Sequence, residues 1–148
     1  MKKIQLTFSF WGHKELKDYL LSLNGVSNVE IDDEKDLVID FEYDEKIISP
    51  KILRYEVLAF MEVDYPSLIC FNSYETGTKE YKIVVKDVCC EYCFMDMIEE
   101  LFTMDGIVSA KSDYDEINHH YNINLYIKYN PNIIKEDDLR RIEEDFNN

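Results

Sequence analysis

Apolar side chains recur with two different periods along the first 43 residues of the chain. From residues 3 to 10 every second side chain is apolar, which is the period of a half-buried strand. From residues 13 to 23 the spacing is three or four, which is typical of an amphipathic helix, and Gly25 provides a left-handed stop. Alternation returns over residues 26–31 and 37–43, on either side of a polar turn. We therefore expect a strand, a helix and a strand hairpin in this order.

A second helix and a last strand follow the hairpin. Ser49 is a good N-cap residue and Pro50 suits the first helical position, so the helix should run from there to about Met61. Residues 68–71 are largely apolar and follow a proline, which predicts a closing strand. The resulting order, βαββαβ, is the split pattern of the ferredoxin-like fold. The expected fold class is α+β, with two helices on one face of a four-stranded antiparallel sheet.

The pattern then repeats. Residues 9–25 align without a gap with residues 90–106, and both segments end on a glycine. Residues 43–54 align with residues 129–140, sharing a Tyr, an Ile-Ile pair and a Leu-Arg pair, after five inserted residues in the second copy. A repeat of this length indicates two copies of one domain rather than a solenoid, whose units have about 20 to 50 residues. We expect two tandem ferredoxin-like sandwiches.

A polar, turn-rich connector separates the two copies, so the predicted domains are residues 1–72 and residues 79–148. The second copy reaches its second helix but lacks the last strand. In the strand order 4-1-3-2 this leaves the strand at residues 81–85 with a bare edge. One interpretation is that the edge faces solvent and that its lysines prevent association. The other is that a strand of the first copy, or of another protomer in a homodimer, pairs there.

Composition and charge narrow the classes of partner. The 148 residues are 46% hydrophobic and 14% aromatic, which is typical of a packed globular protein. The net charge of -15, from 16 basic and 31 acidic residues, argues against nucleic acid and against an anionic membrane as partners. A cation or a basic protein suits this charge better.

The sequence shows no signal for export, membrane insertion or catalysis. No apolar run approaches the roughly 18 residues that a membrane span needs, and no cleavage site follows the first strand, so we expect a soluble, cytoplasmic protein. We recognise no phosphate-binding loop and no activated nucleophile with a base. We therefore do not expect an enzyme.

Three of the four cysteines lie close together, at Cys89, Cys90 and Cys93, and the fourth is Cys70. In the cytoplasm all four should be reduced thiols. Cys90 and Cys93 are three residues apart at the predicted start of a helix, where free N–H groups favour the thiolate and both sulfurs can converge on one ion. Thiolates select soft cations such as Cu(I) and Zn(II). Thiol redox chemistry and an inert pair of small residues are the alternatives.

A second group of candidate ligands is His119 and His120. They fall in the five-residue insertion of the second hairpin, which the predicted strand directions bring to the same end of the domain as the cysteines. Imidazole is a good ligand for Zn(II) and copper. The alternative is that both histidines are solvated loop residues.

Taken together, these motifs resemble the heavy-metal-associated domain of copper chaperones and P-type metal ATPases. The shared features are a strand, Cys90-x-x-Cys93 at a helix start, a Leu-x-x-x-Gly turn, a hairpin and Tyr-Asp/Asn-x-x-x-Ile before a second helix. The resemblance covers nearly the whole chain as two copies. It implies a ferredoxin-like fold and binding of Cu(I) or another soft cation through Cys90 and Cys93. The chain differs from the family in having Asp87-Val88 in place of Gly-Met, followed by the additional thiol Cys89.

Two functions follow as expectations. The first is a metal-binding module that holds Cu(I) or Zn(II) in its second copy and passes the ion to an acceptor protein. The first copy, with Ser9 and Gly12 at the cysteine positions, would be a scaffold. The alternative is a metal-free, acidic, ferredoxin-like interaction protein, such as an inhibitor, immunity-type or regulatory factor, that binds a basic protein. The aromatic loop with Phe10 and Trp11 is its candidate contact.

Overall fold

The structure is a computed structural model that describes residues 1–114 and 122–148. The chain divides into two compact units, residues 1–67 and residues 68–148. The described residues form seven strands and four helices, and every strand pair within a unit is antiparallel. The predicted α+β class is therefore confirmed. No described helix is both long enough and apolar enough to span a bilayer.

The first unit contains three strands and two helices. These elements are β1 (Lys2–Phe8), α1 (Leu16–Leu21), β2 (Val26–Asp32), β3 (Leu37–Tyr43) and α2 (Pro50–Phe60). The strands lie in the order β2-β3-β1. Every second side chain of β3 is buried, as the alternation predicts, and these side chains form the core with the apolar faces of the helices. The N-cap prediction for α2 is confirmed, since Ser49 Oγ accepts a hydrogen bond from the N–H of Ile52 at 3.3 Å.

Helix α1 is shorter than the predicted range of residues 13–23. Its N-cap residue, Glu15, makes no side-chain capping bond. Instead the N–H of Glu15 donates to His13 Nδ1 at 3.1 Å, and the N–H of Leu16 donates to the carbonyl of His13. The local turn around His13 therefore precedes the helix, and its ring nitrogen and carbonyl satisfy two N–H groups that have no partner within the helix.

The second unit contains four strands and two helices within the described residues. They are β4 (Leu68–Asn72), β5 (Lys79–Val85), α3 (Glu91–Phe102), β6 (Ile107–Ser112), β7 (Ile123–Tyr129) and α4 (Glu136–Phe146). The strand order is β4-β6-β7-β5. The inward-facing residues Ile123, Leu125 and Ile127 of β7 are almost completely buried, which places the core between the sheet and the helices.

Strand β4 differs most from the sequence expectation. The alternation placed residues 68–71 at the end of the first domain, with its boundary at residue 72. In the structure β4 pairs with β6, with Cys70 opposite Lys111 and Asn72 opposite Ser109. This pairing draws the strand into the second unit, because strand pairing depends on partners distant in sequence, which periodicity does not report. The reading of the whole chain as two tandem βαββαβ copies remains a prediction.

The free edge of β5 is closed by side chains of α4. Glu143 Oε2 accepts from the N–H of Val84 at 2.7 Å, and Asn147 Oδ1 accepts from the N–H of Lys86 at 2.8 Å. Asn147 Nδ2 in turn donates to the carbonyl of Val84 at 2.9 Å. Among the described strands only β7 pairs with β5. The expectation that another strand of the chain covers this edge is therefore corrected, and pairing with a second protomer remains a prediction.

The two aligned helix ends have the same local conformation. Gly25 and Gly106 have φ values of +97° and +92°. The carbonyl of Gly25 accepts from the N–H of Asp44 at 2.7 Å, and the carbonyl of Gly106 accepts from the N–H of Asn130 at 2.8 Å. In each unit an isoleucine pair lies directly against the glycine Cα. Glycine suits both positions for two reasons. The positive φ is unfavourable for other residues, and a side chain would clash with the isoleucines.

Candidate metal centre

The cysteine loop lies between the end of β5 and the start of α3. Asp87 adopts a left-handed conformation, with φ of 58°, that turns the chain out of the strand. Val88 is buried and anchors the loop on the core. Cys90 is the N-cap of α3 with an extended backbone, φ -163° and ψ 171°, and the N–H of Cys93 donates to its carbonyl at 3.1 Å. This geometry brings the side chains of both Cys-x-x-Cys residues to the first turn of the helix.

Helix α3 is held in place by its buried face. Phe94, Ile98 and Leu101 are buried, as their helical spacing predicts. Phe94 also stacks on Tyr114, with ring centroids 4.6 Å apart and planes inclined by 24°. Because the first of these anchors is adjacent to Cys93, the position of that thiol is tied to the core rather than to the loop.

The three neighbouring cysteines form one cluster. The sulfur atoms of Cys89 and Cys93 are 2.9 Å apart, those of Cys90 and Cys93 are 3.7 Å apart, and those of Cys89 and Cys90 are 4.0 Å apart. All four cysteines of the chain are free thiols. Among the described residues this cluster is the one group of three or more His, Cys, Asp or Glu side chains whose ligand atoms could share an ion.

The sulfur spacing fits thiolate coordination of a single ion. Two thiolates bound at the usual zinc–sulfur length in tetrahedral geometry lie about 3.8 Å apart. The distances from Cys90 to Cys93 and from Cys90 to Cys89 meet this requirement without rearrangement. The shorter distance between Cys89 and Cys93 would have to open by about 0.9 Å. Cys89 is exposed and precedes the helix, so a rotation of its side chain is the smallest change that achieves this.

The two Cys-x-x-Cys thiols have opposite pKa shifts. The backbone N–H of Cys93, followed by its thiol, lowers the pKa of Cys90, because both are donors that favour the thiolate. The neighbouring thiol of Cys89, together with burial, raises the pKa of Cys93 to about 11. Of these two thiols, Cys90 therefore ionises first in the metal-free protein. An ion bound to all three cysteines would have to displace the proton of Cys93, so binding releases protons.

The structure brings together three of the five predicted ligands. Cys89, Cys90 and Cys93 form the cluster, whereas His119 and His120 lie outside the described residues. Cys70 is on β4, opposite Lys111, and does not belong to the cluster. Cys89 was a candidate ligand from the sequence, but its proximity to Cys93 was not predicted, because residue spacing does not give the backbone conformation of this loop.

The aligned loop of the first unit has no thiols and little space. A Cβ added to Gly12 would lie 3.0 Å from Leu37 Cδ1 and 3.1 Å from Asp33 Oδ2. The neighbouring Trp11 projects into solvent, with 79% of its surface exposed. The chemistry of this loop is thus that of an aromatic surface rather than of a ligand cluster.

Comparison with known proteins adds one finding. No protein-family model matches the chain, and no curated protein matches it. Solved structures that match include the solution structure of the N-terminal soluble domains of Bacillus subtilis CopA, which is 12% identical, covers 97% of this chain and 88% of that chain, and has a TM-score of 0.36. At this identity and TM-score the match establishes neither a shared fold nor a shared function.

Proposed function

We propose that the second unit binds one soft metal ion, Cu(I) or Zn(II), through Cys90 and Cys93, with Cys89 as a third thiolate. The observation that carries the proposal is the convergence of three sulfur atoms within 4.8 Å at the start of α3. Thiolates are the ligands that soft cations prefer, and the lowered pKa of Cys90 favours its thiolate form. His119 and His120 remain candidates for a fourth ligand.

The exposure of the cluster supports transfer rather than permanent storage. Cys89 is exposed, and Cys90 and Cys93 are only half-buried. Structural zinc sites have four protein ligands, whereas three thiolates without a histidine leave one coordination position for an incoming group. We infer that an acceptor protein takes the ion by ligand exchange at this position, with the first unit as a scaffold. The proposed setting is the cytoplasm, where the thiols stay reduced.

The test is an anaerobic titration of the reduced protein with Cu(I) and with Zn(II) against a competing chelator. We expect one ion per chain, tight binding that is lost in Cys90→Ser/Cys93→Ser, and binding weakened by at least about tenfold in Cys89→Ser. Cys70→Ser is the matched control and should bind as the wild type does. Tight binding that survives the double substitution would refute the proposal. His119→Ala/His120→Ala separately tests whether the histidines contribute.

A metal-free interaction protein is the second candidate, and the exposed Trp11 favours it. An aromatic side chain this exposed is typical of a binding surface, and the charge of -15 would attract a basic partner. If neither ion binds tightly, Trp11→Ala should abolish capture of a basic partner while Cys90→Ser/Cys93→Ser leaves capture unchanged. The reverse result would exclude this function.

A further inference from the structure

The outer face of the second sheet carries charge of the opposite sign to the chain as a whole. Along β7 the inward side chains are buried, whereas Tyr126 and Lys128 on the other face are exposed. The same alternation exposes Lys111 on β6 and Lys82 on β5. Three ammonium groups and two acidic groups, those of Glu80 and of Asp113 just after β6, therefore share this face. Its local charge is positive in a chain whose net charge is -15.

The strand register places these side chains side by side. Tyr126 lies directly opposite Lys111 on one neighbouring strand and opposite Lys82 on the other. Lys128 is two residues further along β7, between Ser109 and Glu80. Directly opposed side chains in antiparallel pairs have Cβ atoms about 5 Å apart. All three lysines are thus neighbours of one exposed aromatic ring, and we call this surface the lysine face.

The lysine face is also concave. A shallow, open depression of about 540 Å³ is lined by its residues, including Glu80, Ser109 and Tyr126. None of the three lysines has an acidic partner within hydrogen-bonding or ion-pair distance in the part of the chain that the structure describes. A ligand can therefore bind the ammonium groups without breaking an ion pair to any residue that the structure describes.

We propose that the lysine face docks an acidic segment of a partner protein, which places carboxylates on the lysines and an apolar side chain on the ring of Tyr126. The shape favours a polypeptide over a small molecule, because an open depression buries too little of a small ligand. The charge of the whole chain disfavours nucleic acid and anionic membranes, since an extended polyanion meets the surrounding negative surface. The Debye length at physiological salt is roughly 8 Å, so a short acidic segment bound on this face is attracted by the lysines and is largely screened from the more distant negative charges.

This docking surface is independent of the proposed metal site. Its residues lie on β5, β6 and β7, on the sheet face turned away from the helices, and include none of the cysteines. The proposal therefore makes a prediction of its own. Cys90→Ser/Cys93→Ser should leave docking unchanged, and removing the lysines should leave metal binding unchanged.

The test uses the full chain and a short fluorescein-labelled peptide of glutamates around one phenylalanine, with binding followed by fluorescence anisotropy. We expect the affinity to fall with added salt and to fall about tenfold or more when the three lysines are neutralised. The control removes the same charge from three exposed lysines of the first unit and should change the affinity by less than about twofold. The two variants to compare are Lys82→Gln/Lys111→Gln/Lys128→Gln and Lys14→Gln/Lys35→Gln/Lys51→Gln.

A variant with unchanged net charge separates docking on this face from nonspecific electrostatic attraction. Tyr126→Ala keeps every lysine and should weaken the peptide several-fold, with circular dichroism confirming that the sheet remains folded. The proposal is overturned if the wild type shows no salt-dependent binding, or if both lysine variants weaken binding equally. It is also overturned if single-stranded RNA, or vesicles containing phosphatidylserine, bind this face more tightly than the peptide.

Discussion

Replacing Gly106 by alanine should destabilise the second unit more than the loss of a glycine normally does. Gly106 has φ of +92°, and a Cβ at this position would lie 3.0 Å from Cγ2 of both Ile133 and Ile134 and 3.1 Å from Cβ of Ile133. The carbonyl of Gly106 accepts a hydrogen bond from the N–H of Asn130, so the backbone cannot rotate freely to relieve the clash. Both the backbone conformation and the packing therefore oppose the new methyl group.

The magnitude follows from these two terms. A residue other than glycine in the left-handed region costs about 1 to 2 kcal/mol, and overpacking costs typically about 1 to 3 kcal/mol. Alanine also lowers the conformational entropy of the unfolded chain, which stabilises the folded protein by about 0.4 to 1 kcal/mol. We expect Gly106→Ala to lower the free energy of unfolding by about 3 kcal/mol, within a range of about 1 to 4.5 kcal/mol.

Gly77 supplies the matched control in the same unit. It also has positive φ, +70°, but a Cβ there would have no atom within 4 Å. Gly77→Ala therefore measures the backbone term alone and should cost about 1 kcal/mol. Urea unfolding followed by far-ultraviolet circular dichroism measures both variants, and the midpoint should shift with little change in slope. Equal destabilisation by the two substitutions would show that the isoleucine pair moves aside and that the packing argument is wrong.

Three further predictions test other parts of the chain. Asn147→Ala removes the hydrogen bonds to the N–H of Lys86 and to the carbonyl of Val84, so it should lower the free energy of unfolding by about 1 to 2 kcal/mol. The exposed β5 edge should also cause concentration-dependent association in sedimentation experiments, and a strictly monomeric variant would contradict the idea that Asn147 protects this edge. In the metal-free protein iodoacetamide should modify Cys90 at a lower pH than Cys93, whose modification should rise only as the pH approaches its pKa of about 11. Mass spectrometry maps the modified residue, and the opposite order would contradict the assigned pKa shifts. Ser49→Ala should lower the free energy of unfolding by about 1 kcal/mol through loss of the α2 cap, and an unchanged urea midpoint would show that the cap contributes nothing.

Periodicity predicted best the strands and helices that bury one face in the core and expose the other to solvent. The alternation of residues 37–43 identified β3, and the Ser-Pro start identified α2, because each signal depends only on neighbouring residues. Helix α1 was predicted too long because residues 13–15 form a local turn around His13, which apolar spacing alone does not distinguish from a first helical turn. The pairing of β4 with β6 was missed because two strands with the same local pattern can pair in more than one order.

The candidate site could be located from sequence, but its geometry could not. Cys-x-x-Cys at a helix start identified the loop and two ligands. The contact between Cys89 and Cys93 lies in a loop that begins with a positive φ at Asp87, a conformation that the aspartate side chain tolerates but does not predict. The lysine face was hidden for a related reason, since its lysines come from three strands and become neighbours only through the register. Net charge alone pointed to the opposite kind of partner.

Because Glu143 and Asn147 cover the β5 edge with side chains, this edge should open to solvent faster than one covered by a strand. A neighbouring strand can be removed only by unfolding part of the sheet, whereas two side chains can change rotamer without disturbing the strand behind them. The N–H groups of Val84 and Lys86 should therefore exchange with solvent deuterium through brief local opening, much faster than amides bonded within the sheet. The edge of β5 can thus be exposed and covered again by side-chain motion alone, without unfolding of the core.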